Sequence, residues 1–95
     1  MDLEKDALSG LPGEPGVYIF KNKQNETLYV GKAKNLKKRV KSYFSKSKDS
    51  RISINFLMQE VQSVDFISTN NEEDALILEN KTIKARQPKY NILLK

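Results

Sequence analysis

The chain opens, after a turn-rich start, with apolar positions spaced by two and continues with apolar positions spaced as in helices. From Gly16 to Lys21, Val17 and Ile19 point one way and Tyr18 and Phe20 the other; Leu28 to Gly31 does likewise. Two short strands are predicted there. The polar stretch KNKQNET between them carries the asparagines that hairpin turns favour. A four-residue loop at Asn22–Asn25 would set Ile19 opposite Leu28 and Tyr18 opposite Tyr29, with both tyrosines on one face.

Helical spacing follows. Leu36, Val40, Tyr43 and Phe44 repeat behind a possible N-cap, Asn35. A second helix is predicted from Arg51 to about Gln62, its apolar stripe being Ile54, Leu57, Met58 and Val61. VDFIST at 64–69 reads as a third strand. The segment 72–86 starts after asparagines with three acids and ends with Lys84 and Arg86, a helix that Pro88 stops. The tail KYNILLK is expected to pack back on the core. The predicted order is β-β-α-α-β-α, an α/β sandwich of a small sheet with helices, forming one domain over residues 1–95. LPGEPG reverses the chain near residue 12, after at most a short helical lead-in.

Composition narrows the chemistry. The 95 residues hold 17 Lys plus Arg against 12 Asp plus Glu, a net charge of +5, which favours an anionic partner. There is no cysteine and no histidine, so disulfides, thiolate zinc sites, cysteine nucleophiles and histidine bases are excluded. No apolar run approaches the ~20 residues of a membrane span, and the N-terminus lacks a signal-peptide core, so a cytoplasmic domain is expected.

Three groups of residues stand out. Between Lys32 and Lys48 lie eight basic residues and no acid. Lys34, Asn35, Lys37, Lys38 and Lys41 in this run are candidate DNA contacts, since such a surface attracts phosphate backbones; the plainer reading is a solvated helix face. Arg39, the lone arginine among these lysines, borders the apolar stripe one turn before Tyr43. It either presents its planar fork to a phosphate or packs its stem on the stripe with its head in water. Second, Glu79 falls in the middle of the apolar face set by Ala75, Leu76 and Ile83. A carboxylate there needs a cation, a hydrogen-bond donor or solvent, so a hard metal and a salt bridge are both open. Third, Tyr18 and Tyr29 share a face of the hairpin. Aromatic cross-strand pairs commonly stabilise sheets. Here Tyr29 runs into Gly31 and Lys32, and a nearby ammonium would lower its pKa enough for a general base. GKAK lacks the earlier glycine of a P-loop, and Glu72 and Glu73 complement a helix dipole.

Gly16-Val17-Tyr18, ten intervening residues and Tyr29-Val30-Gly31, together with LYVGKAKNLKKRVKSYF, DALILEN and PKYNILL, resemble the GIY-YIG nuclease family, and within it the N-terminal domains of the UvrC type. The resemblance implies a small three-stranded antiparallel sheet flanked by helices (α+β). It also implies hydrolysis of a DNA phosphodiester with Mg²⁺ or Mn²⁺, on the 3′ side of a lesion in nucleotide excision repair. Carried over by position, Tyr29 is the base, Lys32 helps ionise it, and Arg39 clamps the phosphate. Glu79 holds the metal, Tyr18 and Tyr43 line the site, and Asn91 belongs to it. The base is either a tyrosinate or a hydroxide on the metal. UvrB and the remaining domains of UvrC are the implied partners, if this is an N-terminal domain of a longer chain rather than a stand-alone nuclease. A non-cleaving DNA-binding module, or a basic domain that binds an acidic protein, are the alternatives. Val17 and Val30 stand where the family name has Ile. Thr82 stands where an apolar residue is usual, which would soften the packing beside Glu79.

Overall fold

The computed structural model describes residues 10–44 and 52–93, with side chains from 55 in the second stretch and up to 91. The lead-in before residue 10, the polar run after Phe44 with Lys46 and Lys48, the helix start at Arg51, the side chain of Ile54 and the end of the tail lie outside the described residues. Strands β1 (Gly16–Lys21), β2 (Thr27–Ala33) and β3 (Ser63–Ser68) form one antiparallel sheet in the order β2-β1-β3. Helices α1 (Leu36–Phe44) and α2 (Ile52–Glu60) precede β3, and α3 (Glu72–Arg86) and α4 (Lys89–Leu93) follow it.

The period-two pattern assigns the faces as predicted. Tyr18 and Phe20 are buried with Leu36, Val40, Leu57 and Val61 under α1 and α2. Val17, Ile19 and Val30 are buried on the other face with Ala75 of α3. Two thin cores on one sheet suit a chain this short.

The hairpin register differs from the expectation. Ile19 lies opposite Val30, Tyr18 opposite Gly31, and Phe20, not Tyr18, opposite Tyr29. Two local features explain it. The loop is one residue longer, because Lys21 pairs with Thr27. Within it the Asn22 side chain accepts from the amides of Gln24 and Glu26, and Asn25 takes a left-handed φ of 66°. The pairing then slips by one more residue between Phe20 and Lys21. A total shift of two leaves Tyr18 and Tyr29 on one face, whereas Leu28, at the irregularity, packs with the Tyr18 cluster rather than with Val30.

The helix signals hold. Asn35 caps α1, its side-chain oxygen accepting from the Lys38 amide at 3.0 Å. Asn71 caps α3 in the same way through Asp74 at 2.8 Å. Each such cap contributes about 1 kcal/mol. Gln87, at φ 48°, closes α3 with its amide on the Ile83 carbonyl, and Pro88 follows, buried. Two expectations fail. Leu76 is 44 % exposed; the inward stripe of α3 is Ala75, Leu78 and Ile83, because the helix sits rotated about its axis. The tail does pack back, with Tyr90 buried, but as the extra short helix α4. Among the described residues no helix is long and apolar enough to cross a membrane.

Candidate active site

The sheet face under α1 carries a ring of aromatics. Phe20 is the floor, stacked against Tyr29 (centroids 6.4 Å) and edge-on to Tyr43 (5.1 Å). Tyr18 stands beside it, 6.2 Å from Tyr29 and 5.7 Å from Tyr43. The Tyr18 and Tyr43 hydroxyls share a hydrogen bond of 2.8 Å. Tyr43 is brought here by α1, and one turn earlier the same helix delivers Arg39. Its guanidinium lies 5.2 Å from the Tyr43 ring centre, with one nitrogen donating to the Tyr43 hydroxyl at 3.5 Å. The tyrosines and Arg39 thus converge from β1, β2 and α1, while Arg39 itself remains exposed.

Electrostatics follow from this packing. Burial, reinforced by Tyr43 and Tyr29, pushes the Tyr18 phenol far above its ordinary range. Burial first, then Tyr43, then the negative charge of Glu79 push Tyr29 up to about 12, and Arg39 pulls it the other way. Arg39 is held more firmly protonated by its hydrogen bonding and charge contact with Tyr18 and by the other tyrosines.

Glu79 joins the cluster from α3. It is half-buried between Ala75, Leu78 and Ile83, and its charge reaches Tyr29. No hydrogen bond or ion pair is made by its carboxylate among the described residues, which leaves the salt-bridge reading without a partner. Beside it the Thr82 hydroxyl donates to the Leu78 carbonyl at 2.7 Å, so the polar residue is satisfied within its own helix turn. A divalent ion fits these donors. No three carboxylates or imidazoles cluster among the described residues. A single carboxylate with open neighbours suits a hard ion that keeps most of its water, such as Mg²⁺.

Other residues fall outside this cluster. Lys32 lies opposite Val17, on the sheet face away from Tyr29, and is exposed. It therefore does not depress Tyr29, whose phenol is raised rather than lowered; the three-residue spacing along a strand sends the two side chains to opposite faces. Lys34, Lys37, Lys38 and Lys41 are exposed around α1. Asn35 spends its side-chain oxygen on the helix cap. Asn91 approaches the strand edge rather than the tyrosine ring. Its amide donates to the Val30 carbonyl and its oxygen accepts from the Val30 amide, both at 2.8 Å.

Sequence reasoning did not single out Phe20 as the floor of the ring, although its alternation with Tyr18 carried the signal. It also missed Arg86, which donates to the Thr27 hydroxyl at 2.7 Å and ties the end of α3 to the start of β2. No local pattern announces that contact.

The family model described as the UvrC-like GIY-YIG domain matches residues 14–92. The chain is 52 % identical over 88 residues to the UvrABC system protein C of Geobacter sp. (strain M21), covering 93 % of this chain. It is 50 % identical over all 95 residues to that of Chlamydia pneumoniae. It spans 14 % and 16 % of the length of those relatives. Its fold is similar to the crystal structure of the GIY-YIG N-terminal endonuclease domain of UvrC from Thermotoga maritima bound to its catalytic magnesium. The TM-score is 0.77 at 36 % identity, over 93 % of this chain and 98 % of that one.

Proposed function

The chain belongs to the UvrC-like GIY-YIG domain family, and on that premise we propose that it is a divalent-metal-dependent endonuclease domain that hydrolyses a DNA phosphodiester. The observation that carries this reading is Glu79: a half-buried carboxylate with no partner among the described residues, acting on Tyr29 at the edge of a tyrosine–arginine cluster. Such a group is free to take a hard cation that keeps part of its water. In the Thermotoga maritima domain the bound catalytic ion is magnesium.

Each residue has a task in this reaction. Arg39, protonated at every relevant pH, offers its fork to the non-bridging oxygens of the scissile phosphate and opposes the charge that develops there. As the tyrosinate, Tyr29 accepts the proton of the attacking water as the new P–O bond forms and the bond to the departing oxygen breaks, and the departing oxygen takes its proton from solvent. Tyr18 and Tyr43, linked through their hydroxyls, fix the wall against which water and phosphate are oriented. Glu79 is the protein ligand for Mg²⁺ or Mn²⁺, and the bound ion supplies positive charge beside the developing anion. Tyr29 needs that neighbourhood, because a phenol held up to about 12 by burial, Tyr43 and Glu79 keeps its proton near neutral pH, and a cation on Glu79 would favour the tyrosinate. Lys32, Lys34, Lys37, Lys38 and Lys41 hold the DNA backbone, and Asn91 holds the strand that carries Tyr29.

The curated relatives are components of a UvrABC system. We assign the chain to the nuclease end of such a protein, acting in nucleotide excision repair, with UvrB and further UvrC domains as its partners.

The test compares wild type with Glu79→Gln on nicked and gapped duplex DNA with Mg²⁺ or Mn²⁺, and follows Mn²⁺ binding directly by calorimetry. Metal-dependent cutting by wild type alone, with Mn²⁺ affinity lowered at least about tenfold in the variant, is expected. Cutting by Glu79→Gln, or equal Mn²⁺ affinity in both, would overturn the assignment. Salt-sensitive DNA binding by both proteins with no Mn²⁺ binding by either would identify a non-cleaving module.

A further inference from the structure

Among the described residues β2 is an edge strand: β1 pairs with it on one side and no strand pairs on the other. An unpaired edge is free to shift unless something else takes up its outward amides and carbonyls. At Val30, the residue following Tyr29, both groups are taken by the Asn91 side chain, which imitates a neighbouring strand. Asn91 sits on α4, only five residues long. A helix of that length has no stability of its own and is held by its anchors.

Those anchors are Pro88 and Tyr90, both buried, and one carboxylate on another helix. Glu60, the last residue of α2, accepts a hydrogen bond from the Tyr90 hydroxyl and lies 3.6 Å from the Lys89 ammonium. Lys89 in turn lies over the Tyr90 ring at 5.2 Å. Among the described residues, the polar contacts that seat α4 on α2 meet at this one side chain.

We propose that Glu60 is a positioning residue for Tyr29: by holding Tyr90 and Lys89 it seats α4, and α4 through Asn91 clamps the open edge of β2 at Val30. The role rests on Tyr29 being the reacting tyrosine. The connection runs α2 to α4 to β2, and every link is a named contact. Displacements of about an ångström in a reacting group are enough to lower a rate severely.

The experiment uses the whole chain and four variants: Glu60→Leu, Glu60→Gln, Tyr90→Phe and the double variant Glu60→Leu/Tyr90→Phe. Two quantities are read, hydrogen exchange at the Val30 amide and the separate kcat and KM for DNA cleavage. Glu60→Leu and Tyr90→Phe should each speed Val30 exchange and lower kcat about tenfold at unchanged KM. Glu60→Gln keeps an acceptor for Tyr90 and should recover most of both. The double variant should be no worse than Glu60→Leu alone, since that substitution already breaks the Tyr90 link. Ile67→Ala, on the opposite edge strand and opposite Val17 on the sheet face away from Phe20, is the control; it should lower the melting temperature without altering Val30 exchange or kcat. Unchanged Val30 exchange in Glu60→Leu, additive effects in the double variant, or the same kcat loss in Ile67→Ala would each overturn the proposal. Faster exchange with kcat intact would also overturn it while leaving the endonuclease reading standing. Full activity in Tyr29→Phe would remove Tyr29 as the reacting tyrosine and overturn the proposal with it, whereas absence of metal-dependent cleavage by wild type would overturn the endonuclease reading itself.

Discussion

Gly31 and Tyr18 occupy each other's space: a Cβ on Gly31 would lie 2.3 Å from the Tyr18 hydroxyl oxygen and 2.4 Å from its Cζ. The two are cross-strand partners. The Tyr18 ring lies across the bare backbone of β2, and this brings its hydroxyl to Tyr43. The glycine in the second half of the family signature is thus the seat of the tyrosine in the first half.

Gly31→Ala should force Tyr18 aside. Overpacking of this kind costs about 1–3 kcal/mol, and the Tyr18–Tyr43 hydrogen bond should break with it. Chemical denaturation and the cleavage assay together check this. An unchanged stability with full cleavage would mean that the ring has room elsewhere.

Arg39 and its lysine neighbours should separate cleanly. Arg39→Lys keeps the charge but loses the fork and the contact over Tyr43, so kcat should fall about a hundredfold or more, as for the loss of a transition-state donor. Lys38→Ala and Lys41→Ala should instead weaken DNA binding and reduce its salt dependence by about one counterion each, with kcat unchanged. Binding titrations at several salt concentrations, beside single-turnover cleavage, give the comparison. A kcat loss in Lys38→Ala equal to that in Arg39→Lys would contradict it.

Stability should fall at high pH. Tyr29 and Tyr90 are pushed up to about 12 in the folded chain, Tyr29 mainly by burial and Tyr90 by burial and Glu60. A solvated phenol loses its proton near pH 10. The folded state therefore holds these protons more tightly than the unfolded state. Their contribution is complete below about pH 10 and is lost as the pH climbs from about 10 to about 12. Urea denaturation of wild type and Tyr90→Phe between pH 9 and 11.5 tests this; the variant should show the shallower decline. Parallel curves would mean that Tyr90 titrates normally in the folded protein.

Much of this molecule was legible before folding was considered. Side-chain direction in a strand depends only on the count of residues, so the faces of Val17, Tyr18, Ile19 and Phe20 followed from their order. Caps are local as well: Asn35, Asn71 and the end at Pro88 lie within a few residues of the groups they satisfy. The signature identified the family, and the basic run pointed toward an anionic partner.

What the sequence determined by itself was the set of elements, their faces, the two tyrosines on one side, and a carboxylate on a helix face that should have been apolar. What only the tertiary structure decided was how these meet. The hairpin register depended on the Asn22 side chain and an irregularity at Phe20, which together add two residues of shift invisible to alternation. The rotation of α3 depended on its packing against β1 and β2, and it turned Leu78 inward, half-buried, while leaving Leu76 in solvent. The isolation of Glu79, the clamp of Asn91 on Val30 and the anchoring of α4 by Glu60 join residues far apart in sequence. Local propensity acts over a few residues, whereas these contacts arise only when packing brings distant segments to the same edge.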